Sequence, residues 1–248
     1  MTNQQLYNTI FLRRSIRKYE LTSLSQDILL NIQEFASSAK PLVESIKYEF
    51  TYLTADNVKN IIPVKAPHYI CLYSEKKDGY LMNAGFILQQ VDLFISSNNL
   101  GSCWLGMAKP SKDVPVMKNG LEFVIMLAFG KTAEQVHRVE RSEFKRKSIS
   151  DISSIAGAEE LLEPVRLAPS ASNTQAWFFS GNINEITVSR EKLNLIKAPI
   201  YGRVNKIDIG IAICHLWLTL DHQGKTATYD FNKVDVPKGY EFMGKVSI

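Results

Sequence analysis

The chain repeats itself, and the repeat restricts what it can fold into more than any single motif does. Ser15 and Ser37 stand 22 positions apart, and so do Ser148 and Ser170. Around these anchors Arg14-Ser15-Ile16 faces Lys147-Ser148-Ile149, and Ala36-Ser37-Ser38-Ala39 faces Pro169-Ser170-Ala171-Ser172. Further on, Asn83-Ala84-Gly85-Phe86 faces Asp208-Ile209-Gly210-Ile211, and each of these glycines opens an apolar stretch closed by another, Gly101 and Gly224. Near the ends, Gly120-Leu121-Glu122-Phe123 faces Gly239-Tyr240-Glu241-Phe242. Matches that recur in one order with small drifts imply two like units stacked on one another.

Hydrophobic periodicity supports the pairing. Ala84, Ile87, Leu88, Val91, Phe94 and Ile95 fall on one stripe of a helix that is expected to run to Gly101. In the second half the segment 207–220 is apolar nearly all round, as a helix buried on most faces would be. The two helices are expected to pack against each other as a central spine. Residues 68–73, 123–129, 185–189 and 226–231 read as strands. Leu6, Tyr7, Ile10 and Phe11 suggest one further helix, and Ile28, Leu29, Ile32 and Phe35 another. The fold class is α+β, with a mixed sheet and central helices. A boundary near Phe144 gives a first copy over 1–143 and a second over 144–248. No linker rich in Pro, Gly or Ser separates them, so the copies are expected to pack intimately.

Composition narrows the function. Of the 248 residues 45% are hydrophobic and 22% charged, which is globular and excludes a largely disordered chain. A net charge of +4 with one short basic run over 137–147 argues against nucleic acid and suits a single phosphate group better. Cys71, Cys103 and Cys214 are odd in number, far apart and flanked by apolar residues, which suits buried thiols in a reducing compartment. His68, His137, His215 and His222 have no ligand spacing, so no metal is expected. No apolar run reaches ~18 residues, so no membrane partner is expected and the cytoplasm is the expected location.

Three segments carry candidate chemistry. Arg13-Arg14-Ser15-Ile16-Arg17 offers forked guanidinium donors and a hydroxyl suited to phosphate oxygens; as an exposed charged segment it is expected to contribute little to apoprotein stability. Ala168-Pro169-Ser170-Ala171-Ser172-Asn173-Thr174-Gln175-Ala176-Trp177 presents short polar side chains in a compact turn, suited to the edge of a heteroaromatic ring or equally to a helix cap. In Leu100-Gly101-Ser102-Cys103-Trp104-Leu105-Gly106 the glycines allow a close approach to a ligand, although Trp104 is as readily a core residue, and Cys103 lacks an activating neighbour.

Taken in order, these three segments and the strand end Ala128-Phe129-Gly130-Lys131 resemble the FMN-dependent nitroreductase family over nearly the whole chain. Members are usually homodimers whose two flavin sites lie between subunits. Here the intact Pro-Ser-Asn turn sits in the second half, whereas the intact Arg-Arg-Ser and Trp-Leu-Gly segments sit in the first. The chain is therefore similar to a single-chain branch, a monomer in which one polypeptide imitates the dimer and keeps one complete site.

The resemblance implies that Arg13, Arg14, Ser15 and Arg17 bind the FMN phosphate and ribityl chain. Pro169, Ser170, Ser172 and Asn173 would meet the isoalloxazine ring, and Trp104, Leu105 and Gly106 would address its N5 region. A basic residue after the first copy's last strand would add to the phosphate site: Arg146, with Lys145 and Arg141 as alternatives. The implied activity is ping-pong hydride transfer from NAD(P)H to an electron-poor small-molecule acceptor such as a nitroaromatic or quinone, with no side-chain acid or base required. A flavin carrier without turnover and a purely structural pseudo-dimer are the competing readings. Ala176 and Leu105 depart from the family pattern, where Pro and, in some relatives, a carboxylate stand.

Overall fold

In the computed structural model, which describes residues 2–60 and 64–248, the chain forms two topologically equivalent halves. The first contains helices α1 (Asn3–Ile10) and α2 (Gln26–Ser38), strands β1 (Tyr48–Thr54), β2 (Val58–Lys59) and β3 (His68–Ser74), and helix α3 (Tyr80–Ser97). It ends with strands β4 (Gly101–Leu105), β5 (Lys109–Pro110), β6 (Met117–Lys118) and β7 (Leu121–Gly130). The second contains α4 (Ile149–Ile152), α5 (Glu159–Arg166), β8 (Trp177–Gly181), β9 (Glu185–Glu191), α6 (Ala198–Tyr201), α7 (Val204–His222), β10 (Thr228–Asp230) and β11 (Tyr240–Ser247).

The main sheet of the first half has the order β1-β3-β7-β4, and that of the second β8-β9-β11-β10, which is the same path through equivalent strands. The correspondence extends to irregularities. Val124 is skipped in the pairing of β7 with β3, and Met243 in the pairing of β11 with β9; both are bulges one residue past the matched Gly-x-Glu-Phe segments. The glycine opening each segment, Gly120 or Gly239, has positive φ, a conformation Gly adopts without steric cost. Every pairing between these strands is antiparallel, and among the described residues parallel pairing enters only as the isolated bridges Ser15↔Ser102 and Ser153↔Phe179. The mixed character expected of the sheet is confined to those edge contacts, because the segments making them are too short to form ladders.

Helices α3 and α7 cross at the centre, and the crossing is reciprocal. A Cβ on Gly85 would lie 2.1 Å from the carbonyl oxygen of Ile207, and one on Gly210 would lie 1.9 Å from that of Met82. Ile207 and Met82 each precede the glycine of their own helix by three residues, so the two backbones touch about a local twofold axis. This contact leaves no room for a Cβ on either side.

Three expectations need correction. First, α3 is not one-sided: Leu81 to Ser96 are all buried, because the helix lies between its own sheet and α7. Two of its polar side chains hold the chain after α2: Asn83 Oδ1 accepts the N–H groups of Leu42 and Val43, and Gln90 bonds both backbone groups of Lys40. Second, α3 stops at Ser97 rather than Gly101, the turn being made by Asn99 at positive φ. Gly101 instead opens β4, where a Cβ would fall 2.8 Å from the Ile16 side chain. Third, the counterpart of the Pro-Ser turn is not 36–39, which closes α2. Asp208 accepts the Ala171 N–H as Asn83 accepts those of Leu42 and Val43, so Lys40-Pro41-Leu42-Val43 is the equivalent turn. It has the proline and lacks the Ser and Asn.

The core follows the strand alternation. Ile70 and Leu72 of β3 face the main core with α3 and α7, while Tyr69, Cys71 and Tyr73 face a smaller one with Met126, Ala128, Cys103 and Leu105. The first sheet is thus covered on both faces, and β3 is buried throughout.

Candidate functional site

The basic segment after α1 is drawn inward. Arg13 Nε donates to Asp92 Oδ2 at 2.7 Å, with side-chain exposures of 4% and 0%. A second guanidinium nitrogen reaches Asp92 Oδ1 and the third donates to Ser15 Oγ at 3.1 Å. Asp92, on α3, also accepts from Ser102 Oγ and from Trp104 Nε1 at 3.2 Å. One buried carboxylate therefore ties the Arg-Arg-Ser segment to the Gly-Ser-Cys-Trp strand, and the Ile16 N–H bond to the Ser102 carbonyl at 2.9 Å completes the joint. The expectation that this segment is exposed and stability-neutral fails for Arg13, although Arg17 is exposed and Arg14 and Ser15 are half-buried. Cys103 is no nucleophile: burial pushes its thiol up against the opposing charges of Arg17 and Arg13.

A second layer of arginine lies over the first. Arg138 donates to the Arg13 carbonyl and stacks over the Phe144 ring at 4.0 Å. Arg146 approaches the same ring at 5.7 Å, and its guanidinium donates to Asn173 Oδ1 at 2.7 Å and to the Leu167 carbonyl. Burial and the charges of Arg13 and Arg14 push Arg138 down to about 10. Burial and the charges of Arg138, Arg13 and Arg166 push Arg146 down to about 10 as well. Such crowding of like charge is unfavourable until an anion joins it. Arg146 Nε, buried, has no hydrogen-bond partner among the described residues.

The Pro-Ser-Asn turn closes the other side. Ser172, Asn173 and Gln175 all have positive φ, and the turn is held by Gln175 N–H to Ser170 Oγ at 3.0 Å and by Asn173 Nδ2 to the Lys145 carbonyl at 2.7 Å. Pro169 is buried, Ser170 half-buried, and Ser172 and Asn173 are exposed. Beneath the turn, the Asp208 carboxyl is pushed up to about 8 by burial, opposed by the Ala171 N–H. One turn earlier on α7, Val204 Cγ1 lies 3.4 Å from where a Cβ on Gly106 would sit. The Leu105-Gly106 loop of the first half and the Pro-Ser-Asn turn of the second thus meet the same stretch of α7.

These contacts close a ring. It runs from Arg13 through Asp92 and Trp104 to Gly106, across to Val204 and Asp208 on α7, to the Ala171–Asn173 turn, and back through Arg146, Phe144 and Arg138. Asp92, Arg138, Phe144, Val204 and Asp208 are the members that the sequence did not mark as site residues, and Asp92 and Arg138 bear most directly on the charge. An acid within Val91-Asp92-Leu93 signals a buried ion pair only once the helix is known to have no solvent face. Arg138 sits in the basic run, where nothing sets it apart from Arg141. That residue lies instead over the Phe11 ring at 4.8 Å.

The sequence profile of a family described as "Putative TM nitroreductase" matches residues 5–220. None of the curated proteins matches the chain. Among solved structures, a Thermotoga maritima protein described as a putative nitroreductase is similar at 20% identity and a TM-score of 0.65, over 100% of this chain and 95% of that one. An FMN-dependent nitroreductase from Clostridium difficile R20291 is similar at 17% identity and a TM-score of 0.42, over 55% of this chain and 93% of that one.

Proposed function

Because the chain belongs to this nitroreductase family, we propose that it is an FMN-dependent oxidoreductase that takes hydride from NAD(P)H and reduces an electron-poor small molecule, a nitroaromatic or a quinone. The observation that carries the reading is the crowded arginine layer facing the Pro-Ser-Asn turn. Arg13 is neutralised by Asp92, and the Glu143 carboxylate acts on Arg14 and Arg138, which leaves the three arginines Arg14, Arg138 and Arg146 with an excess of positive charge and a buried guanidinium nitrogen that lacks an acceptor among the described residues. A phosphomonoester supplies the missing acceptors, each charge-assisted bond contributing about 1.5–3 kcal/mol. The residues present therefore fit a flavin mononucleotide.

In this reading Arg14, Arg138 and Arg146 hold the phosphate, while Arg13 and Ser15 shape the wall behind it. Arg17, exposed beside them, adds charge at the rim. Pro169, Ser170, Ser172 and Asn173 border the ring from the second half, and the Trp104-Leu105-Gly106 loop borders it from the first. When bound, the flavin supplies the two-electron chemistry. The protein orients it, supplies hydrogen bonds and excludes water; Trp104 has its own N–H engaged by Asp92 and so stands as a fixed wall. No side-chain acid or base is required.

We read the two halves as diverged copies, 1–143 and 144–248, that form a pseudo-dimer with one complete site in a monomeric, cytoplasmic protein. In the mirror position the turn is Lys40-Pro41-Leu42-Val43, without Ser or Asn, and Lys147 is paired with Glu191 at 2.8 Å. The visible spectrum of the purified protein tests the reading: a bound flavin at one per chain, bleached by NADH or NADPH, is expected. A colourless protein that takes up no added FMN overturns it, and flavin bleached by neither nicotinamide would make it a carrier.

A further inference from the structure

The halves differ most in the link that leads into their central helices. In the first, residues 75–79 join β3 to α3; in the second, residues 192–203 join β9 to α7, a link seven residues longer. The C-terminal end of the longer link is anchored at the site. Tyr201 Oη lies 3.4 Å from Ser172 Oγ in the Pro-Ser-Asn turn, and Arg203 donates to the carbonyls of Phe123 and Val124, at the β7 bulge, at 3.1 and 2.7 Å. Immediately after it, Val204 packs toward Gly106. Just before these anchors Leu195, Ile196 and Ile200 are 93%, 80% and 64% exposed, and the segment, which includes Lys192 and Lys197, carries no acidic residue. Met107, next to Gly106 on the opposite bank, is 54% exposed.

Scattered apolar side chains on a surface are ordinary, but a run of aliphatics fixed at the mouth of a site marks what enters it. We propose that this link, with Met107, is the specificity face for a quinone acceptor carrying an aliphatic tail. The electron-poor ring lies at the Pro-Ser-Asn turn and the tail runs outward over Ile200, Ile196 and Leu195. The proposal rests on the flavin-site reading for the position of the ring; the tail's contact with the link does not depend on it. The shorter link of the first half, Glu75-Lys76-Lys77-Asp78-Gly79, has no aliphatic residue and offers no such face.

Calorimetric titration of the FMN-reconstituted protein with a dimethoxy-methyl-benzoquinone, with and without a decyl chain, tests this. The chain is expected to tighten binding by about tenfold or more, since each buried methylene adds to transfer from water. In the variant Leu195→Ser/Ile196→Ser/Ile200→Ser the gain should fall below about threefold, while flavin absorbance and affinity for the chain-free quinone stay unchanged. A gain near one in the wild type, or an undiminished gain in the variant, overturns the proposal. So does a change from dimer to monomer in the variant's sedimentation without loss of the chain effect, which would assign the face to a second copy of the protein. A protein that retains no FMN sinks the flavin reading alone, and the same titration on the apoprotein then decides the face by the same ratio.

Discussion

Arg13 in the first half and Arg146 in the second occupy equivalent places, each two residues before its matched serine, yet their surroundings are opposite. Arg13 is sealed against Asp92, which lies seven residues after Gly85 on α3. Seven residues after Gly210 on α7 stands Trp217, so Arg146 has no equivalent carboxylate and bonds to Asn173 and a backbone carbonyl instead. The same scaffold position therefore yields a charge-balanced arginine that holds the fold and an unbalanced one that can receive an external anion. The contrast also shows why a basic motif alone does not identify a phosphate ligand. What matters is whether an acid inside the protein has already claimed it.

Four experiments would break or sharpen this comparison. The largest effect is expected where the halves are most alike: Gly85→Val and Gly210→Val each drive a side chain into the opposite helix backbone, and urea unfolding should show losses above the ~4–5 kcal/mol that marks exceptional substitutions. A tolerant Gly85→Val beside a disruptive Gly210→Val would mean the crossing is not reciprocal. Next, Arg13→Ala should cost about 3–5 kcal/mol of stability by stranding the buried Asp92 carboxylate. Arg146→Ala, losing hydrogen bonds at a partly open site, should cost only about 1 kcal/mol; equal losses would erase the distinction.

In FMN binding the order reverses in kind. Flavin fluorescence titration should show Arg138→Ala and Arg146→Ala each weakening affinity by about 1.5–3 kcal/mol, whereas Arg166→Ala, whose guanidinium is paired with Glu163, should change it little.

Smallest per pH unit is the effect of the carboxyl and amide that support the two turns. Folded Asp208 keeps its proton up to about 8, whereas the unfolded chain releases it in the ordinary carboxylate range. Between those values the native state binds the extra proton, so stability should decline as pH rises, by at most ~1.4 kcal/mol per pH unit, and level off above about 8. Asp208→Asn, which gives the second half the amide that Asn83 provides in the first, should remove that slope in urea melts run across the window. A slope unchanged in the variant would assign it to another group.

Much of this architecture was legible in the residues. The apolar stretches opened by Gly85 and Gly210 pointed to two packed helices, though not to the close backbone contact made at those glycines, and the matched Gly-x-Glu-Phe segments lie beside the paired bulges. Strands β3, β7 and β9 were readable from β-branched and aromatic runs. The edge strands β1 and β8, and β11, which lies inside its sheet with several residues only partly buried, were not, since they mix polar and apolar residues without a clean alternation. The first-half turn was misplaced because Ala36, Ser37 and Ser38 imitate the motif in composition while being the last turn of α2; only the shared support by Asn83 and Asp208 reveals the true register. At the site, Arg146 and the Pro-Ser-Asn turn could be named in advance. Asp92 could not, because its meaning depends on α3 having no face left for water.

Both walls of the arginine-and-turn ring reside on one polypeptide, joined across the α3–α7 crossing. A site shared between separate subunits empties when dilution drives them apart, whereas here the second wall is present at an effective concentration set by the chain itself. Assembly is therefore first order, and retention of whatever the ring encloses should be the same at nanomolar as at micromolar protein.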